Sequence, residues 1–290
     1  IFDEWSTRYE LDHTTRADLD PHYDAVSEFL GIAPTPEDVQ GPRNLLFRQG
    51  CEALGIASEP VDRNVRGCRG SGECFSGCRA RAKQSMDISY IPEAMKFGAR
   101  VLTSLQVQGV LGEGRRVRGV EGRVVEPFSG RTSHAFRVRA RWVVLAAGCM
   151  ATPVLLQKSG NLANASGQVG QNLQFHPGSA VAGVFPESID PIFGGTQSYQ
   201  SLAFLEEGFK LETMWSAPAA LAVRMPGVGA ELVHRFGELP RTAIWDAIAS
   251  THRSLGTVKA RFRSLNPVIR WTLHPEDVKV MLRSIHVLAQ

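Results

Sequence analysis

Three cysteines lie close together in a glycine-rich stretch of the sequence. Cys68, Cys74 and Cys78 follow a C-x5-C-x3-C spacing within RGCRGSGECFSGC. Thiolates are soft ligands, and a loop of this kind can bring them to iron or zinc. Three thiolates are one short of the four ligands of a structural zinc site, whereas a cluster that lacks one iron needs only three. The alternative is that cysteine and glycine are simply the small residues that a tight loop can pack.

A second candidate site is the run of small residues Ala146, Ala147 and Gly148, which ends the apolar segment WVVLAAG. A turn of small residues after a buried strand lets the backbone approach a ligand that lies across the strand ends. The same residues also allow a helix to pack closely with no ligand present. The sequence contains no G-x-G-x-x-G, so it assigns no phosphate-binding loop.

The first half of the chain combines helical and alternating patterns. Apolar spacing and glycine stops predict helices at Pro21–Leu30, Asn44–Leu54 and Tyr90–Phe97. The segments ARVLTSLQVQGVL, RRVRGVEGRVV and FRVRARW alternate apolar and polar residues, which predicts an antiparallel β-meander with one wet face. The segment 142–148 is wholly apolar, as in a strand covered on both faces, and ATPVLLQKSG after it predicts a helix.

The second half of the chain is less regular. GSAVAGVF, FKLETMW and NPVIRWTL predict strands, whereas LPRTAIWDAIAST predicts a helix and a last helix starts at Pro275. These elements predict a second, mixed domain.

Composition excludes several classes of protein. With 43% hydrophobic and 21% charged residues among 290, the chain matches folded globular proteins and not disordered ones. The 32 basic and 29 acidic residues leave a net charge of +3, which gives no electrostatic footprint for nucleic acid. The longest apolar run, Trp142–Leu156, is broken by glycine, threonine and proline, so no transmembrane segment is predicted. Localisation stays open, with the cytoplasm as the default.

The order of these motifs resembles a known family. RNVRGCRGSGECFSGCRARAKQSMDISYIPEAMKFGARV, VVLAAGCMATPVLLQKSG, VGQNLQFHP and NPVIRWTL are similar to segments of the glucose-methanol-choline (GMC) FAD-dependent oxidoreductases. The resemblance implies an α/β (α+β) fold, with a partial FAD/NAD(P)-binding-type sheet domain over residues 1–172 and a mixed antiparallel-sheet substrate domain over 173–290. The first domain would contain a helical segment (1–66), the cysteine loop (67–84), and the meander with the buried strand (99–148).

The resemblance also implies cofactors and their contacts. FAD would be contacted by the main chain of Val107 in the meander and by Ala146, Ala147 and Gly148. The cysteine spacing is similar to that of sugar dehydrogenases of the family that carry a three-iron cluster. Cys68, Cys74 and Cys78 are therefore the candidate metal ligands, beside the interpretation that they only pack the loop.

The implied reaction is the oxidation of a small-molecule alcohol to an aldehyde or ketone, by hydride transfer to the flavin. The electron acceptor, whether oxygen, a quinone or a carrier protein, stays open. The glycine-rich FAD motif and the catalytic histidine of the family would lie before Ile1 and after Gln290. The sequence is therefore expected to be an internal, inactive piece, and no catalytic residue is nominated. The alternative function is an iron-sulfur or metal-binding electron-transfer module built on the cysteine loop.

Overall fold

A computed structural model of the chain describes residues 2–113, 116–222 and 225–290. The helices are α1 (Phe2–Arg8), α2 (Arg16–Leu30), α3 (Pro42–Ala53), α4 (Tyr90–Lys96), α5 (Gly148–Lys158), α6 (Pro218–Ala222), α7 (Ala230–Glu238) and α8 (Pro275–Leu288). The strands are β1 (Ile32–Pro34), β2 (Glu59–Pro60), β3 (Asp62–Asn64), β4 (Leu105–Glu113), β5 (Arg116–Val125), β6 (Thr132–Arg139), β7 (Gly178–Val184), β8 (Tyr199–Ser201), β9 (Phe209–Met214), β10 (Thr242–Ala249), β11 (Gly256–Arg261) and β12 (Ser264–Trp271). Within these ranges, no helix combines the length and apolarity that crossing a bilayer requires.

Two compact units divide the chain. Unit 1 contains Ile1–Gly98, Gly178–Ala249 and Val280–Gln290, and unit 2 contains Ala99–Pro177 and Ser250–Lys279. Each unit is thus assembled from segments that are distant in the sequence, whereas the predicted boundary at 172/173 separates two consecutive halves. The assignment of those halves to a flavin domain and a substrate domain stays a prediction.

Unit 1 is built on a five-stranded antiparallel sheet with the strand order β2-β8-β9-β10-β7. The core on one face of this sheet joins Phe47 and Cys51 of α3 to Val287 and Leu288 of α8, with Leu211 of β9 among the strand residues. Burial of this apolar surface is the main stabilising contribution to the unit.

The helix predicted for LPRTAIWDAIAST is wrong, because most of this segment is strand β10. A short 3-10 turn (Leu239–Arg241) precedes the strand. The alanines of β10 favour a helix by intrinsic propensity, but this strand is hydrogen-bonded to β7 on one side and to β9 on the other. Ala247 and Ala249 are buried in the core together with Tyr199. Tertiary pairing therefore overrides the local preference.

The predicted helices of the first half are present, with shifted boundaries. Helix α2 begins at Arg16, five residues before the predicted start, because Thr15 and Asp18 form a capping box. The Thr15 hydroxyl oxygen accepts the Asp18 N–H at 3.3 Å, and the Asp18 carboxylate accepts the Thr15 N–H at 3.2 Å. The helix ends where Gly31 adopts a φ of +63°. Helices α3 and α4 lie where they were predicted.

Unit 2 contains the predicted meander, β4-β5-β6, and a hairpin of β11 and β12. Helix α5 lies where a helix was predicted, and its Val154 packs against Leu173 and Val258. The Gln157 side chain ties α5 to β11: its amide donates to the Val258 carbonyl at 3.0 Å, and its oxygen accepts the Ala260 N–H at 2.6 Å.

The buried strand predicted for 142–148 is not a strand in the structure. Residues 142–147 have no regular secondary structure, and the side chains of Trp142 and Val144 are each 87% exposed. A central strand needs a hydrogen-bonded neighbour and cover on both faces. No strand within the described ranges pairs with this segment, and two of its large apolar side chains, Trp142 and Val144, stay open to solvent.

Candidate functional site

The turn at 146–148 joins the exposed apolar segment to helix α5. Ala146, Ala147 and Gly148 are all exposed. Gly148 has a φ of +80°, which glycine adopts without steric cost, and no heavy atom lies within 4 Å of the position that a Cβ would take there. The Ala147 N–H donates to Thr152 Oγ1 at 3.2 Å, which fixes the turn from inside the helix. The result is an ordered turn whose backbone is open to a ligand.

Val107 lies half-buried in β4, which is an edge strand of the meander as described. It pairs with Gly122 of β5, and the ladder is irregular between Val107 and Gly109. A Cβ on Gly122 would lie 2.0 Å from the carbonyl oxygen of Gln106, so only glycine allows this close pairing. An edge strand leaves backbone groups without a ladder partner, and such groups can bind a ligand through the main chain.

The strand that carries Val107 is also tied to the helix that follows the turn. The Val110 N–H donates to Ser159 Oγ at 2.8 Å, at the end of α5. The structure therefore places all four residues predicted to contact FAD in unit 2, on elements that are directly hydrogen-bonded to each other. Whether these residues bind the cofactor stays a prediction.

The cysteine loop has no helix or strand, as its composition predicts. The contacts of its glycines show which part of the protein holds the loop in place. A Cβ on Gly70 would lie 2.6 Å from the ring of Phe193, and a Cβ on Gly72 would lie 2.1 Å from the carbonyl oxygen of Ile192. The Gly194 N–H donates to the Gly70 carbonyl at 2.7 Å. The loop is thus held by close contact with the segment 190–195.

The structure does not support the predicted three-cysteine metal site. No three His, Cys, Asp or Glu side chains within the described ranges are grouped so that they could hold a metal ion. The sulfur of Cys68 accepts the Gly70 N–H at 3.4 Å, that of Cys74 accepts a guanidinium N–H of Arg63 at 3.6 Å, and that of Cys78 accepts the Ala82 N–H at 3.3 Å. Each sulfur therefore has a hydrogen-bond donor of its own within the protein.

The thiol of Cys78 has a perturbed pKa. Burial raises this pKa, but the backbone N–H groups of Lys83, Ala82 and Ala80 and the positive charge of Arg63 outweigh burial, so the pKa lies below its usual value. The opposite holds for Cys51, where burial in the core of unit 1 raises the pKa of the thiol.

Arg43 is a buried residue that the sequence analysis missed. It is 0% exposed, and its guanidinium donates to the carbonyl oxygens of Pro191, Phe193 (2.8 Å) and Gly195. It also lies over the ring of Trp215, 5.6 Å from the centroid. Burial lowers the pKa of Arg43 to about 10, which leaves it charged at neutral pH.

A signal for Arg43 was present in the sequence. Arg43 stands four residues before Phe47 and eight before Cys51, on the face of α3 that is buried. An arginine in register with an apolar helix face indicates a buried guanidinium. Arg43 binds the segment 190–195, which in turn contacts the cysteine loop, so a buried cation helps to position the loop.

The chain is similar to several known proteins. The family model described as GMC oxidoreductase matches residues 1–178. An uncharacterised GMC-type oxidoreductase of Mycobacterium tuberculosis is 30% identical over 285 residues, which is 97% of this chain and 44% of that protein. A long-chain-alcohol oxidase of Arabidopsis thaliana is 31% identical over 260 residues, 84% of this chain and 34% of the oxidase.

The fold is also found among solved structures. The crystal structure of pyridoxine 4-oxidase from Mesorbium loti matches with a TM-score of 0.61 at 17% identity, over 87% of this chain and 51% of that one. The chain thus spans less than half the length of the two curated relatives. Because the family model covers well over half of the 290 residues, the chain belongs to the GMC oxidoreductase family.

Proposed function

We propose that this chain is part of an FAD-dependent enzyme that oxidises the CH–OH group of an alcohol to an aldehyde or ketone. Membership of the GMC oxidoreductase family supports the reaction class. One observation supports a cofactor site in this part of the fold: the turn at Ala146, Ala147 and Gly148 is open. No heavy atom lies within 4 Å of the position that a Cβ would take on Gly148.

The residues of the turn fit a large planar cofactor. Small side chains at Ala146 and Ala147 leave the backbone accessible, and Thr152 holds that backbone in place before any ligand arrives. Preorganisation of this kind reduces the entropy lost on binding. Val107 would add a main-chain contact from β4, for which its own side chain is not required.

When bound, the flavin supplies the redox chemistry, because it accepts the hydride from the alcohol carbon. This chain's residues then hold and orient the cofactor. We nominate none of them as the base that removes the hydroxyl proton. The long-chain-alcohol oxidase among the relatives makes aliphatic long-chain alcohols the first substrates to assay. The acceptor is proposed as oxygen, a quinone or a carrier protein. Electron transfer through an iron-sulfur cluster is not proposed, since the cysteines do not form a metal site.

The test uses the complete gene product that contains this sequence, with a matched pair of glycines. Gly148 and Gly160 lie at the two ends of α5, with φ of +80° and +75°, and neither has a neighbour within 4 Å of its Cβ position. Valine therefore introduces similar backbone strain at both positions. We expect Gly148→Val to weaken FAD binding by at least about tenfold, about 1.4 kcal/mol, and Gly160→Val to leave it nearly unchanged.

FAD binding is measured by the change in flavin fluorescence, and alcohol oxidation by reduction of a dye and by oxygen consumption. Equal FAD affinity in the two variants would remove the turn from the cofactor site. If the flavin-loaded protein bleached with no member of a panel of long-chain, aryl and sterol alcohols, the proposed reaction would be wrong.

A further inference from the structure

Two of the cysteines share a cavity with several cations. Cys74 and Cys78 line a cavity of about 430 Å³ in unit 1, together with Arg79, Arg81 and Lys83. None of the residues proposed to contact FAD lines this cavity. A thiol surrounded by positive charge is a better nucleophile at neutral pH than a free cysteine, because the thiolate is the reactive form.

The charges around the cavity are only partly compensated. Arg79 is paired with Glu73 at 2.7 Å, and Asp87, the one carboxylate in the lining, accepts a hydrogen bond from Ser85 at 2.5 Å. No ion pair within the described ranges involves Arg81 or Lys83. The cavity therefore presents an excess of positive charge to a ligand, and a cleft of one sign raises the local concentration of opposite charge.

The two sulfurs are also held in place. The Ala82 N–H donates to Cys78 Sγ at 3.3 Å, and the Arg63 guanidinium donates to Cys74 Sγ at 3.6 Å. Lys83 Nζ donates to the Cys74 carbonyl at 3.2 Å, which fixes the backbone between the two thiols. Both cysteines are partly exposed, so a small molecule can reach them. Hydrogen bonds to the Cys78 sulfur favour its thiolate.

We propose that Cys78 is a thiol–disulfide exchange site that selects small disulfides carrying negative charge. In the reaction, Cys78 loses its proton to water and its thiolate attacks one sulfur of the small disulfide. A new disulfide bond forms to Cys78 while the original one breaks. The other half leaves with the electron pair as a thiolate, which takes up a proton from water. The Cys78 sulfur is oxidised, and the leaving half is reduced to its thiol.

The chain supplies its own reference thiols. Cys149, in the first turn of α5, is exposed, and Cys51 is buried in the core of unit 1. The rate at Cys149 therefore shows how an exposed thiol outside the charged cavity reacts. Cys51 should stay unmodified as long as the fold is intact. A preference that depends on reagent charge at Cys78 and not at Cys149 is the specific signature of the proposed site.

The experiment treats the purified chain, free of reductant, with three disulfides: glutathione disulfide, which is net negative, the neutral bis(2-hydroxyethyl) disulfide, and the cationic cystamine. Peptide mass spectrometry gives the rate of mixed-disulfide formation at each cysteine. We expect Cys78 to react with glutathione disulfide about tenfold faster than with the neutral reagent, and slowest with cystamine. High salt should reduce this preference, since it screens the charges.

Arg81→Gln should lower the preference of Cys78 for the anionic over the neutral disulfide, because Arg81 lines the cavity and forms no ion pair within the described ranges. Cys78→Ser should remove the adduct at this position and leave that at Cys149. The charge series on the unsubstituted chain needs no variant, so misfolding of a variant does not decide the outcome. The proposal is overturned if Cys78 does not react, if Cys149 shows the same order of reagents, or if iron and acid-labile sulfide purify with the chain.

Discussion

The buried guanidinium of Arg43 makes a strong prediction about stability. Its three acceptors are the carbonyl oxygens of Pro191, Phe193 and Gly195. The Gly195 carbonyl also accepts Asn44 Nδ2 at 3.4 Å, so the Pro191 and Phe193 carbonyls are the groups that lose their donor when the shorter glutamine replaces Arg43. Each buried carbonyl that loses its partner costs about 1–3 kcal/mol. Part of this cost is offset because a charge is no longer buried. We expect a net loss of about 3 kcal/mol for Arg43→Gln.

The matched control is Arg48, on the same helix. It forms ion pairs with Glu37 at 3.5 Å and Glu52 at 3.6 Å, but the two carboxylate side chains are 76% and 65% exposed. Exposed pairs of this kind contribute about 0–1 kcal/mol. Arg48→Gln should therefore be nearly neutral. Arg43→Lys keeps the charge but not the planar fork of donors, and it should fall between the two.

The assay is urea unfolding followed by circular dichroism. With an m value of about 3 kcal/mol/M, a loss of 3 kcal/mol lowers the midpoint by about 1 M. The Arg48 control should shift it by less than about 0.3 M. Equal midpoints for Arg43→Gln and Arg48→Gln would refute the argument that this arginine holds the segment 190–195.

Two further predictions concern single contacts. Asp277 is buried, and it accepts the N–H of Ser254 at 2.7 Å and its hydroxyl at 2.5 Å. Burial raises the pKa of this carboxyl, but these hydrogen bonds outweigh burial and lower the pKa below the ordinary value of 3.8. Its contribution is thus present above that value and lost as the pH falls below it. Asp277→Asn should destabilise the chain by about 1–3 kcal/mol at pH 7 in urea unfolding. The difference from the unsubstituted chain should become smaller as the pH falls below 3.8, and a difference that did not decrease there would contradict this. Gly70→Ala should lower the urea midpoint more than Gly67→Ala. The two glycines have similar φ angles, +67° and +70°, but only a Cβ on Gly70 would meet the ring of Phe193. Equal midpoints for the two variants would count against the packing of the loop on that ring.

The contacts of the cysteine loop change how its composition is interpreted. Glycine at positions 70 and 72 is needed because the ring of Phe193 and the carbonyl of Ile192 occupy the space of a side chain. These contacts agree with the interpretation that small residues pack a tight loop, because each glycine faces another part of the protein. The remaining question for the thiols is their reactivity, which the disulfide series measures.

The sequence by itself determined those helices and strands whose pattern lies within a short stretch of the chain. The meander β4-β5-β6 followed from alternation, α3 and α5 followed from apolar spacing and glycine stops, and the family followed from motif order. These features depend on residues near each other in the chain, so their patterns can be read directly. The start of α2 was missed by five residues, although its capping box is also a local signal.

Only the tertiary structure decided what depends on distant partners. Strand β10 is a strand because β7 and β9 pair with it, whereas the segment 142–147, with a stronger strand pattern, has no described partner and forms none. The sulfurs of the three cysteines accept hydrogen bonds from Arg63 and from two backbone N–H groups, and the loop is held by residues more than 100 positions away. Hydrogen-bond partners and excluded space come from the folded chain, and a linear spacing does not contain them.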